Sequence, residues 1–571
     1  MELLSQIIDA INGVLRWPLV IGLLGTGLFL TIRLGFVQFR RLGHGFAVAT
    51  GRYDDPDEPG DVSHFQALTT ALSATVGVGN IAGVALAIHI GGPGALFWMW
   101  VTALLGMATK YAEVTLAQQY RDVHVDEDGK AWEGSVSGGP MYYIERGLGK
   151  NWKPVAMFFA FALMLTSFMT GNAVQANTVA TQVFDQFGTP VWITGLVTAT
   201  IVGIVIMGGI SRIGKVTSIV APVMAAIYVA GALTILVLNA GDIPAAFGRI
   251  FAEAFNPTSG VAGTGAGVFL LTMLYGVQRG LFSNEAGQGS APIAHSAAKT
   301  DEPVSEGVVA LLEPFIDTIL ICTMTGLVLV TTGAFEATAP AEFDLQASNV
   351  SIVEGDRQSG FTVYSGQDPI VYQEGIPQAM DGPRVGRFNV GIDTLFTNPE
   401  QTAPFSGTID PETRAALDAD GNVVSMFYAN TVRTSAPLTT LGFERGLEPI
   451  GLGSLGRWIV LLSVILFAIS TSISWSYYGD RCANYLFGTK AILPFKAVFI
   501  VMHFVGAVLA VTTIWDLGDV ALSLVTLPNV LALLLLSGTL VKLTDSYFER
   551  KPWEQNEEDH KRAVREGRLK R

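Results

Sequence analysis

The sequence predicts an all-α membrane protein. It reads as about eleven transmembrane helices, with a 5+5 inverted repeat whose first helices are discontinuous, plus one extra N-terminal helix. Three observations predict this. Charged residues make up 15% of the 571, hydrophobic residues 50%, and mean hydropathy is +0.43; soluble domains carry about 25% charge. Apolar stretches of about 20 residues, each long enough to span a bilayer, recur along the chain. Two of these stretches, five spans apart, are interrupted by glycine, serine and asparagine.

Candidate spans in chain order lie near 15–35, 65–90, 93–119, 153–183, 190–209, 215–239, 262–290, 305–333, 456–479, 492–514 and 519–544. The N-terminus is apolar and slightly acidic before Arg16 and has no basic n-region, so it reads as a retained helix rather than a signal peptide. Short loops alternate in Lys and Arg content. Arg33, Arg40, Arg41 and Arg52 follow the first span, Arg212 and Lys215 the fifth, and Arg481, Lys490 and Lys496 the ninth. The positive-inside rule then puts the N-terminus outside and the C-terminus in the cytoplasm of a multi-pass cell (inner) membrane protein. A net charge of −14 argues against nucleic acid as a partner. The two cysteines, Cys322 and Cys482, make neither a disulfide framework nor a metal cluster.

The chain divides into 1–60, an extra helix and cytoplasmic linker; 61–240, the first five-helix repeat; 241–333, the start of the second; 334–436, an insertion; 437–545, the rest of the second repeat; and 546–571, a cytoplasmic tail. Residues 334–436 hold no lysine, five arginines and fourteen Asp and Glu, and the alternation puts them outside the cell. Their runs "SGFTVYSG" and "GPRVGRFNVG" look like short strands between turns.

The first break reads "SATVGVGNIAGVA" at 73–85 and the second "GLFSNEAGQGSAPIAH" at 280–295. Both contain N-x-A-G, from Asn80 to Gly83 and from Asn284 to Gly287. Gly79 and Gly83 also have the spacing of close helix packing. Two such runs in corresponding positions, each with an asparagine, favour a site instead. Unwinding a helix in hydrocarbon leaves N–H and C=O groups unpaired, which is tolerated only where they line a protein cavity. Freed carbonyls then suit a cation, and half-helix N-termini suit a carboxylate. "GVGNIAG" follows no strand and misses the dinucleotide spacing, so it is no nucleotide loop.

Further walls come from polar residues in apolar spans. Gln175 lies three residues after Asn172 in "TGNAVQANT" and is expected at the substrate, with interhelical hydrogen bonding as the alternative. Thr471 and Trp475 share one helical face, and Trp475 is expected to close a small cavity. Asn284 is expected at the substrate from the second break. Glu113 stands three residues from Lys110, a neutralising pair; Glu313 and Asp317 stand four apart; and Glu285 lies in the second break. No nucleophile–base set, transition-metal motif or phosphate loop appears, so an enzyme is not expected.

At these residues the chain resembles the alanine or glycine:cation symporter family. The matching words are "VGVGNIAGVALAI", "GGPGALFWMWVTALLGMATKYAEVTLA", "GGPMYYIERGLG", "GLFSNEAGQGSAPIAHSAAKT" and "SWSYYGDRC". They cover nearly all of the chain except 334–436. The resemblance implies the leucine-transporter-type fold and import of small neutral amino acids, alanine and glycine, with Na⁺ as coupling ion and no other cofactor. "TVGVGNI" is also similar to the unwound helix of the neurotransmitter:sodium symporters. By that likeness the Ser73 and Val76 carbonyls face a cation, and Thr75, Val78 and Gly79 meet the substrate through backbone groups. Asn80 would either add a side-chain oxygen or support the helix break. Ala468, Thr471 and Ser472 would complete the cation site. A bond from either hydroxyl back to its own helix is the alternative. Two other readings stay open: an amino-acid sensor on the same fold with 334–436 as its ligand domain, and H⁺ coupling of the same transport. Oligomeric state is left open.

Overall fold

A computed structural model describes residues 2–566 apart from 56, 126–130, 257–265, 348–349, 357–359, 380–381, 388–389 and 510. Of the described residues, 71% are helical. The helices that carry the argument are α1 (Glu2–Arg33), α2 (His64–Thr75), α3 (Val84–Gly91), α4 (Gly94–Tyr120), α5 (Lys153–Phe168), α6 (Val174–Phe187), α7 (Gly209–Leu238), α8 (Ala266–Asn284), α9 (Ala291–His295), α10 (Pro303–Ala310), α11 (Thr323–Thr331), α12 (Gly453–Phe487), α13 (Ile492–Val508), α14 (Val511–Arg550) and α15 (Pro552–Arg565).

Among the described residues, six helices are long and apolar enough to cross a bilayer, or seven if α2 and Gly79–Gly91, bent by 48°, form one span. Trp17–Arg33 and Val191–Ile206 are shorter apolar helices. Part of the expected span 262–290 lies outside the described residues, and its helix stops at Asn284. The large exposed side chains on the outer helices are apolar, such as Ile21, Leu196, Ile204 and Val237, as a lipid-facing surface requires. The protein is a multi-pass membrane protein.

Helix α2 starts with a capping box: the Ser63 hydroxyl accepts the Gln66 N–H, and the Gln66 side chain accepts the Ser63 N–H. It ends at Val76, where ψ of 87° turns the backbone out of the helix. A wide turn over Gly79–Gly83 then leads into α3. Similar wide turns sit at Met169–Ala173, between α5 and α6, and at Phe315–Cys322, before α11. Such turns are frequent at functional sites. The second break is sharper. Residues 285–290 leave the helix, with left-handed backbone at Glu285 (φ 55°), Gly287 (87°) and Gly289 (76°). A Cβ on Gly287 would lie 2.1 Å from Leu23, and one on Gly289 2.5 Å from Pro140.

Residues 334–436 form a β-rich unit at one end of the helical body. Strands Thr338–Asp344 and Met426–Val432 pair antiparallel along their full length and make its stem. Beyond the stem stand a five-stranded and a four-stranded sheet. They close over a separate core that includes Phe343, Ile352, Tyr372, Val385, Phe405 and Phe427.

The opposite, basic end carries loop 50–60 and the tail helix α15. Arg52 bonds Glu557 at 3.1 Å, Asn556 donates to Glu58 at 3.2 Å, and His560 meets the Asp54 carbonyl at 3.0 Å. Burial pushes the Glu58 carboxyl up to about 7. A raised acid is protonated later in the unfolded chain's titration than in the folded one, so docking is firmest below the ordinary carboxylate range and weakens as pH rises through about 7. Proteolysis at the α15 junction is therefore expected to speed up between about pH 5 and pH 8, and Glu58→Gln to flatten that dependence.

Candidate functional site

Both breaks meet at Asn80. Its side-chain oxygen accepts the Gly77 N–H at 2.8 Å, and its amide nitrogen donates to Asp317 Oδ1 at 2.6 Å. The same nitrogen stands 3.1 Å from Ser283 Oγ, the last residue but one of α8. Ser283 and Thr318 donate to Asp317 Oδ2 at 2.8 and 2.7 Å. All four residues are fully buried. Asn80 is thus the clamp between the broken spans and the wide turn at 315–322. Of the two roles expected of Asn80, the structure shows the support of the break: its side-chain oxygen caps Gly77, where an orphaned buried N–H would cost about 1–3 kcal/mol. Hydroxyls from neighbouring helices serve the carbonyls of the first turn. Thr325 donates to the Asn80 C=O and Thr439 to the Ile81 C=O, each at 2.8 Å.

Of the expected cation set, the structure brings Ser73 and Thr471 together. The Thr471 hydroxyl donates to the Ser73 carbonyl at 3.0 Å and the Ala74 carbonyl at 3.2 Å, across to α2. Val76 ends α2 three residues on, and Ala468 lies three residues before Thr471 on α12; both are buried. The Ser472 and Ser73 hydroxyls are buried without a hydrogen-bond partner. Carbonyls, hydroxyls and two unused hydroxyl oxygens form a donor set that fits a hard cation.

The expected substrate residues spread along both breaks. Val78 and Gly79 are buried in the first, and a Cβ on Gly79 would come within 3.2 Å of Phe282. The Thr75 hydroxyl bonds back to Ala71 and Leu72, leaving its backbone as the available group. Gln175 donates to the Thr170 carbonyl at 3.2 Å, and its oxygen has no partner. Asn284 caps the second break: its oxygen accepts the Ala286 N–H at 3.1 Å. Trp475 is buried, with Gly171 against its ring; a Cβ there would lie 2.3 Å away. Its indole N–H donates to Glu285 at 3.0 Å, and Glu285 also accepts the Ser290 hydroxyl.

Sequence pairing misassigned one carboxylate. Lys110 bonds Glu313 at 3.1 Å rather than Glu113. Glu113 accepts the Gly289 N–H at 2.9 Å and the Asn529 amide at 2.5 Å. The freed backbone of the second break claims it. Sequence reading also missed Asp317 as the common acceptor, the Trp475–Glu285 bond, and a buried row of His64, His295 and Glu306. Among the described residues, no group of three or more His, Cys, Asp and Glu could hold a metal ion.

Two helices open around buried oxygens and amides in a long apolar bundle, and the relatives of this chain are transporters rather than enzymes. The chain belongs to the sodium:alanine symporter family, whose profile matches residues 1–362 and 423–562. It is 38% identical over 547 residues to the sodium/alanine symporter AgcS of Methanococcus maripaludis, covering 95% of this chain and 97% of that one. It is 35% identical to the probable sodium/glutamine symporter GlnT of Bacillus subtilis, over 63% of this chain and 73% of that one. The structure is similar to MhsT in complex with L-phenylalanine, with a TM-score of 0.49 and 13% identity, covering 84% of this chain and 90% of that one.

Replacing the clamp tests its structural weight. Asn80→Ala leaves the Gly77 N–H and the Asp317 carboxyl short of partners, and should lower stability by at least about 2 kcal/mol, read as an earlier thermal transition in detergent.

Proposed function

We propose that the chain is a secondary active symporter importing small neutral amino acids, alanine and glycine, coupled to Na⁺ by alternating access. The observation that carries this reading is the meeting of the Thr471 hydroxyl with the Ser73 carbonyl, at the point where α2 unwinds. Na⁺ sits between the first break and α12, held by the carbonyls of Ser73, Val76 and Ala468 and the hydroxyls of Thr471 and Ser472. The amino acid lies between the two breaks, its charged ends on backbone groups of Thr75, Val78 and Gly79. Gln175, Asn284 and Trp475 complete the walls. Trp475, backed by Gly171 and tethered to Glu285, limits side-chain length.

The likeness to a sodium/alanine symporter over 95% of this chain supports the substrate class. In this reading the eleven spans form two inverted five-helix halves behind the extra first helix. The basic end faces the cytoplasm, and the N-terminus and the β-rich unit face outward. Cation binding would steady the first break and raise substrate affinity, and by linkage substrate would raise cation affinity equally.

Radiolabelled alanine uptake into vesicles should require an inward Na⁺ gradient; equal uptake with and without it rejects Na⁺ coupling. Thr471→Val should raise the half-saturating Na⁺ concentration by about tenfold, a loss of about 1.4 kcal/mol, with alanine affinity at saturating Na⁺ nearly unchanged.

A further inference from the structure

A row of buried ionisable groups lies apart from the proposed site, at the basic end. Glu306 meets His64 Nδ1 with one carboxylate oxygen. Its other oxygen meets His295 Nδ1 at 2.5 Å. His295 Nε2 meets Glu313 at 2.8 Å, and Glu313 meets Lys110 at 3.1 Å. His295, Glu306, Glu313 and Lys110 have fully buried side chains, and that of His64 is 3% exposed. The row runs through α2, α9, α10, the Leu312–Pro314 turn and α4.

Counting protons fixes what the row holds. Each of the two contacts from the His295 ring to a carboxylate oxygen needs one proton between its heavy atoms. A neutral imidazole supplies one. Lys110 beside Glu313 and the His64 N–H beside Glu306 favour both carboxylates in the ionised form. The second proton therefore belongs on His295, as imidazolium. Two carboxylates, one ammonium and one imidazolium then sum to zero, and His64 adds its own N–H to Glu306. Loss of that proton removes a positive charge from between two buried carboxylates, which is costly.

The same place holds the two broken spans together. The Asp61 and Val62 N–H groups, just before α2, donate to the Ala297 carbonyl, just after α9, at 2.8 and 3.1 Å. The Lys299 N–H donates back to Val62 at 2.9 Å. Arg121 spans both sides, donating to the carbonyls of Pro59, Ser296, Ala298 and Thr300. Other charged groups on the elements packed against α9 are Glu113 on α4, bonded to the second break, and Asp480 and Arg481 on α12, bonded to each other. Glu285 lies at the far end of the break, on Trp475 and Ser290.

We infer that His295 is a proton-binding site whose occupancy holds the basic-end halves of the two broken spans closed. The proton leaves the imidazolium N–H for water entering from the basic end. Water then solvates the freed carboxylate, and the Asp61–Val62 staple opens. The sign is definite: a proton bound more tightly by the closed form stabilises it at low pH, and that stability is lost as pH rises. Between the ring's midpoint in the open form and its higher midpoint in the closed form, the opening equilibrium grows about tenfold per pH unit, as release of one proton requires. The consequence for transport, a cytoplasmic opening favoured by alkaline cytoplasm, rests on the proposed function. The proton site itself does not.

The test uses the full chain in lipid nanodiscs without substrate. Nitrogen-15 spectra of labelled histidine, with His295 assigned by its loss in His295→Gln, report the ring's protonation. Hydrogen exchange at Asp61 and Val62, corrected for intrinsic rate, reports the staple. The expected result is both ring nitrogens protonated at about pH 6, and exchange that rises about tenfold per unit up to the ring's midpoint in the closed form and levels off above it. His295→Gln should make that exchange independent of pH. A neutral ring at about pH 6, or exchange that ignores the ring's titration, overturns the proposal. Should His295→Asn and His295→Gln both fail to fold, assignment moves to removal of the other six histidines, and the unsubstituted chain still decides it. Failure of Na⁺-driven uptake would leave these readouts unchanged.

Discussion

The structure turns on one constraint: backbone freed inside a membrane must find partners in the protein. Two helices are open, and the opened segments find partners in other parts of the chain, in side chains at the break and in short backbone turns within it. Asn80 caps Gly77 from within the first break and reaches Asp317 beyond it. Asn284 caps Ala286 in the second, and Glu113 reaches across from α4 to Gly289. Thr325 and Thr439 supply hydroxyls to the first turn's carbonyls. Each of these side chains is buried. Removal of one would leave a donor or acceptor where no water replaces it. The breaks are therefore held open as built features, and the groups left without partners stand beside them.

Some of those groups lie on α12, in the α5–α6 turn and at the start of α6. Ser472, Ser474, Thr170 and Gln175 keep buried polar atoms without a partner. A folded protein rarely leaves so many in one region unless they serve a ligand. Left-handed backbone at Glu285, a residue with a Cβ, is a second sign. Its carboxylate bonds Trp475 and Ser290, so a strained position orients the Trp475 indole. Strain and unused polarity occur together here, as expected where a fold trades stability for binding.

At the basic end the economy is reversed. Hydrogen bonds and ion pairs are dense, from the Arg121 fork to the tail helix docked on loop 50–60. The β-rich unit at the other end folds over its own core and joins the bundle through a two-stranded stem.

The sequence by itself determined the class. Low charge and recurring apolar runs place the chain in a bilayer, and glycine with asparagine in two of those runs marks where helices fail. Both signals are local, carried by neighbours in the chain. Thr471 and Trp475 were also legible, since i, i+4 spacing puts them on one face. Only the tertiary structure decided who serves whom. Lys110 chooses Glu313, 203 residues away, over Glu113 three residues away. Asp317 becomes the common acceptor of both breaks, and His295 bridges two glutamates. The physical reason is that a buried polar group takes the partner that closes its hydrogen bonds in three dimensions. In a membrane interior no water substitutes for that partner, so distance along the chain carries almost no weight.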